Sequence, residues 1–233
     1  MKPTEFVFDN IEALSQSLAK KVSTSLQQAL ANHQAASLVV SGGKTPIPFF
    51  KQLSQENLDW SKVWITLTDE RWVDPDHPDS NEALVRQYLL QNQASKANFI
   101  GLKTSAPAPS LGELECEERL KKISQPFNVL ILGMGDDGHT ASLFPQAPQL
   151  EAALNIESSK SCIAVDPITA PHPRMSLTLR SLLNSQEIIL MLSGSNKYDV
   201  YSKALIPGTV KEFPIRSIIH QSKVPVSVYW SKQ

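Results

Sequence analysis

The sequence predicts an α/β domain: a mainly parallel, open sheet with helices on both faces. Three observations carry this. Ser37 to Val40, Val63 to Leu67, Val129 to Leu132 and Glu187 to Leu192 are short apolar runs without regular polar alternation, as suits strands buried on both faces. Segments with apolar residues at three- and four-residue steps lie between such runs, so strand and helix alternate along the chain. The runs also break off into glycine or charged residues, as they do where a site sits at the carboxyl ends of parallel strands. The chain has no fixed-period repeat and no low-complexity linker, so residues 1–233 are read as one domain.

Taken in order, Phe6 to Phe8 is a short apolar piece. Asn10 then precedes a long helical stripe of Ile11, Leu14, Leu18, Val22, Leu26 and Leu30. After the strand at Ser37 comes Ser41-Gly42-Gly43-Lys44-Thr45-Pro46. Thr45 is placed to cap a helix with Pro46 at its first position, and the glycine backbone and free N–H groups would then cradle an anion beside Lys44. An ordinary strand-to-helix turn is the plainer alternative. The strand at Val63 ends in Thr68-Asp69-Glu70-Arg71-Trp72, a dense charged cluster that could meet Lys44 and His139 along one sheet edge, or be a local ion pair.

Val73 to Ser80 reads as a loop, with His77 solvated in it. Asp79 with Glu82 forms a capping-box pattern for a helix through Leu84, Tyr88 and Leu89. Phe99 to Leu102 suits a short strand, and Ser105 to Pro109 a loop. Ser110 with Glu113 suggests another capping box, for a helix ending near Lys121 and Lys122. Cys162 to Val165 suits a strand. Pro171 and Pro173 hold an extended loop that would deliver Arg174 as an anion ligand, with His172 structural. The strand from Glu187 stops at Ser193-Gly194-Ser195-Asn196-Lys197, where a cation again follows a glycine. Helices at Tyr198 to Leu205 and Phe213 to His220 and a strand at Val224 to Trp230 complete the chain.

The most informative stretch is Asn128 to Pro145, NVLILGMGDDGHTASLFP. Gly133, Gly135 and Gly138 match the spacing of the dinucleotide fingerprint. The fit is poor, because Asp136 and Asp137 would face a pyrophosphate and Pro145 and Pro148 interrupt the crossover helix. Asp136 reads equally well as a solvated turn residue. His139, among small and hydroxyl residues, suits general acid or base work.

A net charge of -1 without long charge runs gives no sign of a nucleic-acid or membrane-surface partner. No segment is apolar enough to span a membrane and no signal peptide is visible, so a cytoplasmic location is expected. The two cysteines, Cys116 and Cys162, form no framework, which suits a reducing compartment. No cysteine or histidine cluster suggests zinc, and neither cofactor nor metal is expected. The absence of a G-x-S-x-G elbow favours attack by water over an acyl-enzyme route.

Together SGGKTP, TDERWV, LGMGDDGHTASLFP, PHPRMSLT and LSGSNK, in this order along nearly the whole chain, resemble the 6-phosphogluconolactonase family. The resemblance implies hydrolysis of 6-phospho-D-glucono-1,5-lactone to 6-phosphogluconate in the oxidative pentose phosphate pathway, on a Rossmann-like fold similar to aminosugar-phosphate isomerases. It makes His139 the base that activates water and then protonates the leaving ring oxygen, with Asp69 beside the reacting end. Gly42, Gly43, Lys44, Arg71, Arg174 and Lys197 would hold the phosphate and steady developing charge. The implied partner is a small phosphosugar lactone met by a monomer. The alternatives are a glucosamine-6-phosphate deaminase and a non-catalytic sugar-phosphate-binding module. Deaminases carry an acid before the proline where this chain has Phe144 before Pro145.

Overall fold

The computed structural model describes residues 2–233. Numbered in chain order, the strands β1 (Thr4–Phe8), β2 (Ala36–Val40), β3 (Val63–Leu67), β5 (Asn98–Ile100), β6 (Val129–Leu132), β9 (Ile188–Ser193) and β10 (Val226–Ser231) form one sheet. Its spatial order is β1-β10-β9-β6-β2-β3-β5, and every neighbouring pair is parallel. The central β2 and β6 are buried at every position, which explains their unalternating apolar sequences. Asn128 joins their starts, its Oδ1 accepting the Ser37 backbone N–H at 2.8 Å.

The helices are α1 (Ile11–Asn32), α2 (Ile47–Leu53), α3 (Asn81–Tyr88), α4 (Pro109–Leu120), α5 (Leu150–Leu154), α6 (Leu179–Leu182), α7 (Ser195–Leu205) and α8 (Arg216–Ile219). Asn10 caps α1, accepting the Ala13 N–H at 2.9 Å, and Leu14, Leu18, Val22 and Leu26 are fully buried beneath it. α1, α2 and α3 pack against one another in sequence, whereas α7 packs on β9 and α4 on the strands Cys162–Val165 and Arg174–Leu177. No helix among the described residues is long and apolar enough to cross a membrane.

A second sheet departs from the sequence reading. β4 (Asp69–Arg71), β8 (Arg174–Leu177) and β7 (Cys162–Val165) pair antiparallel in the order β4-β8-β7. Asp69 and Arg71 therefore lie in a strand of their own, and Arg174 opens a strand and does not ride on a loop. The prolines that suggested a loop sit just before β8, where the Pro173 carbonyl accepts the Trp72 N–H at 2.8 Å. A three-residue charged strand carries no periodic signal, so only its pairing reveals it.

None of the three expected caps forms. Thr45 does not cap; α2 begins at Ile47 after Pro46, without a side-chain cap. Ser80, not Asp79, caps α3, accepting the Ala83 N–H at 3.1 Å, and Glu82 pairs with Arg86 at 2.8 Å. α4 begins at Pro109 without a side-chain cap, because Glu113 is taken by the Ala164 N–H at 2.8 Å. A cap contributes only about 1 kcal/mol, so a tertiary partner displaces it easily. α8 is confined to Arg216–Ile219 because Pro214 stands inside the stretch expected to be helical.

Candidate functional site

The chain runs from β2 outward to β3 and β5, then returns to β6 on the other side of β2 and continues outward to β9 and β10. The carboxyl ends of β2 and β6 therefore meet at a topological switch point, where a crevice opens in such sheets. Ser41 holds the ends together: its Oγ lies 3.0 Å from the Ile131 carbonyl and 3.0 Å from Thr68 Oγ1, and accepts the Gly133 N–H at 3.3 Å. Over this point lies a cavity of about 380 Å³.

Gly42, Gly43, Asp69, Arg71, His139, Arg174 and Lys197 all line that cavity, so the structure gathers seven of the eight candidate residues. Lys44 is exposed and does not line it, although Gly43 and Thr45 on either side do. Gly42 and Gly43 are required for different reasons. A Cβ at Gly42 would stand 1.8 Å from Asn81 Oδ1, while Gly43 has open space around it but a φ of +91°.

The loop after β6 folds back on itself. The Gly135 N–H donates to the His139 carbonyl at 2.8 Å, the Gly138 N–H to the Gly135 carbonyl at 3.1 Å, and Gly138 takes a φ of +76°. This turn brings Asp137 Oδ1 to 2.6 Å from His139 Nδ1, and the same oxygen accepts the His139 backbone N–H at 3.1 Å. The carboxylate can only accept, so Nδ1 carries the imidazole proton and Nε2 is the free acceptor. Burial raises the Asp137 carboxyl, but the hydrogen bond and charge of His139 outweigh it and hold the group below its ordinary value. No long crossover helix follows the loop, so the dinucleotide reading fails on structure as well.

Phe144 packs against the His139 ring, with centroids 4.1 Å apart, and its own ring lies 5.6 Å from the Arg174 guanidinium. Arg174 is buried; its Nε donates to the His172 carbonyl at 3.2 Å and its Nη2 to the Pro171 carbonyl at 3.0 Å. Burial lowers its pKa, with Asp69 opposing. Asp69 is anchored through both oxygens: Oδ1 accepts from Thr68 Oγ1 at 3.0 Å and Oδ2 from Ser142 Oγ at 2.6 Å. Lys197 reaches Asp136 at 2.8 Å, and that aspartate side chain is 81% exposed, which agrees with the solvated reading.

Outside the wall, His172 Nε2 lies 3.0 Å from Asp79 Oδ2, and His77 Nδ1 accepts the Asp79 N–H at 3.0 Å. Both histidines thus serve loop structure. Among the described residues no three His, Cys, Asp or Glu side chains gather as a metal cluster.

Four contributors went unrecognised in the sequence. Asp137 was visible in the Asp-Gly-His run, but its choice over Asp136 depends on the turn. Ser142, Asn81 and Glu70 carry no motif of their own. Glu70 is fully buried and its carboxyl is pushed up to about 7 by that burial, against the pull of the N–H groups of Asn81, Glu82 and Arg71.

This sequence and this architecture have close counterparts. The family model described as glucosamine-6-phosphate isomerases/6-phosphogluconolactonase matches residues 9–230. A 6-phosphogluconolactonase of Pseudomonas putida is 40% identical over 94% of this chain and 89% of its own length. One from Rhizobium meliloti is 38% identical over 99% of this chain and 100% of its own. The crystal structure of a 6-phosphogluconolactonase from Shewanella baltica superposes with a TM-score of 0.97 at 46% identity, covering 99% of this chain and 98% of that one. With a match spanning nearly its whole length and relatives at this identity, the chain belongs to the family of glucosamine-6-phosphate isomerases and 6-phosphogluconolactonases.

Proposed function

We propose that this protein is a 6-phosphogluconolactonase that hydrolyses 6-phospho-D-glucono-1,5-lactone to 6-phospho-D-gluconate in the oxidative pentose phosphate pathway. The observation that carries the reading is a carboxylate-oriented imidazole, His139 with Asp137 at 2.6 Å, in one cavity with Arg71, Arg174 and Lys197. Water attacks the lactone carbonyl as His139 Nε2 takes its proton, giving a tetrahedral oxyanion. The ring C–O bond then breaks, and the imidazolium returns the proton to the leaving alkoxide. Asp137 favours the imidazolium that forms between the two steps and keeps Nε2 as its acceptor.

The guanidinium and ammonium groups, with the Gly42–Gly43 backbone, hold the phosphate and stabilise the oxyanion in a partly dehydrated site. Lys44, standing between two lining residues, adds positive potential. Asp69, with both oxygens already engaged, orients Ser142 and Arg174 and takes sugar hydroxyls at the reacting end. Phe144 favours this reading over deamination, since an apolar ring packed against the histidine replaces a carboxylate that ring opening and aldose-ketose proton transfer would use. The enzyme works as a monomer in the cytoplasm, a reducing compartment that suits its two buried, free cysteines.

Proton release on adding freshly prepared 6-phosphogluconolactone tests the reading, measured against buffer and against the unphosphorylated lactone. Release above the buffer rate, confined to the phosphorylated lactone, supports both the hydrolysis and the cation site. Release no faster than buffer with either lactone removes the proposal.

A further inference from the structure

We propose that Glu70 is a positioning residue that sets Arg71 and Asn81, two cavity-lining groups on different elements, in their substrate-binding arrangement. This rests on the lactonase reading of the site. Glu70 is the middle residue of β4, where side chains alternate between faces. Asp69 and Arg71 on either side line the cavity, and Glu70 turns away from it toward the start of α3, where it has no exposed surface.

There one carboxylate makes four hydrogen bonds. Oε1 accepts the Arg71 N–H and the Asn81 N–H, both at 2.7 Å. Oε2 accepts the Glu82 N–H at 2.7 Å and Ser80 Oγ at 3.1 Å. A desolvated carboxylate is costly unless its lone pairs are filled in this way, and each such bond is charge-assisted.

Two of these bonds fill the first-turn N–H groups of α3, those of Asn81 and Glu82, that Ser80 leaves free while it takes the Ala83 N–H, but the bond to the Arg71 N–H in β4 lies outside helix capping. The remaining consequence is geometric. Asn81 Nδ2 donates to the Asp69 carbonyl at 2.8 Å, and its Oδ1 occupies the space a Cβ on Gly42 would need. Glu70 thereby ties the loop after β2, the strand β4 and the helix α3 into one wall. Arg71 is held from both sides, by its own backbone N–H on Glu70 and by Nη1 on the Asp79 carbonyl at 2.6 Å. Its Nε is buried without an acceptor among the described residues. Such an unpaired donor is expensive unless a ligand oxygen completes it, so its placement matters for binding.

The test is Glu70→Gln, which keeps the shape and removes the charge, assayed well below its melting temperature. Turnover of the phosphorylated lactone and calorimetric binding of 6-phosphogluconate are compared with wild type. A positioning role raises KM and the 6-phosphogluconate Kd by about tenfold, with kcat changed by less than about threefold. In an Asn81→Ala background the same substitution then costs clearly less, because the two residues act through one wall. A lowered melting temperature with KM and Kd unchanged overturns the inference, as does a loss confined to kcat. If Glu70→Gln does not fold, Glu70→Asp, which keeps the charge but shortens the reach, is read by the same criteria. Wild-type protein that binds 6-phosphogluconate without lactone turnover would defeat the lactonase reading and leave the Kd comparison to decide the inference. Wild type that does neither ends both.

Discussion

Asp137 Oδ1 binds His139 twice, at the ring Nδ1 at 2.6 Å and at the backbone N–H at 3.1 Å. One carboxylate oxygen thus fixes both where the histidine sits and which ring nitrogen is free. Replacing Asp137 by Asn keeps the size but lets the amide turn its NH₂ toward Nδ1, which favours the wrong tautomer. The expected result is a fall in kcat of roughly 100-fold or more with KM held within about threefold; His139→Ala falls by ~100- to 10,000-fold. Steady-state kinetics corrected for spontaneous hydrolysis measures both.

The same pair makes a pH statement. The Asp137 carboxyl is depressed in the folded protein, so folding stability gains a contribution that is fully present above the ordinary aspartate value of about 3.9 and is lost as pH falls through the lower folded value. Thermal unfolding of wild type and Asp137→Asn from neutral pH downward should show a gap that is constant above about pH 5 and closes in stronger acid. A gap that instead widens in acid would reverse the assigned direction.

Gly135 is confined by the dyad. A Cβ there would stand 2.1 Å from His139 Nδ1 and 2.7 Å from Asp137 Oδ1, so Gly135→Ala must move the imidazole. A displacement of about 1 Å at a reacting group costs roughly 100-fold. Activity should fall by that order while circular dichroism retains the native spectrum.

Lys197 and Asp136 form a surface pair that contributes at most about 1 kcal/mol, so substitutions there report on binding more than on folding. Lys197→Ala should raise KM for the phosphorylated lactone by roughly tenfold and leave the unphosphorylated one unaffected. Asp136→Asn releases the lysine from its competitor, and its KM should equal or fall below that of wild type.

The long apolar stripe of α1 and the runs of β2, β3, β6 and β9 were legible because burial on one or both faces writes itself into local periodicity. The site was legible where residues cluster along the chain, as His139 does within its glycine turn. Arg174 was placed in a loop because the flanking prolines are a local signal, whereas its register opposite Arg71 is a contact between distant segments. The capping pattern at Ser110 and Glu113 misled for the same reason, since Glu113 is taken by the Ala164 N–H, a partner that no short window contains.

By itself, then, the sequence determined the alternating α/β order, the loops at the carboxyl ends of β2, β6 and β9, and the family likeness of the Asp-Gly-His turn. Tertiary structure alone decided that Asp137 and not Asp136 serves His139, that Ser142 reaches Asp69 across 73 residues of chain, and that Glu70 lies beneath the start of α3. The difference is physical. Apolar periodicity is a property of a few consecutive residues and survives in any reading of the chain. A hydrogen bond between distant segments depends on sheet order, strand pairing and turn geometry, all of which form only when the chain has folded.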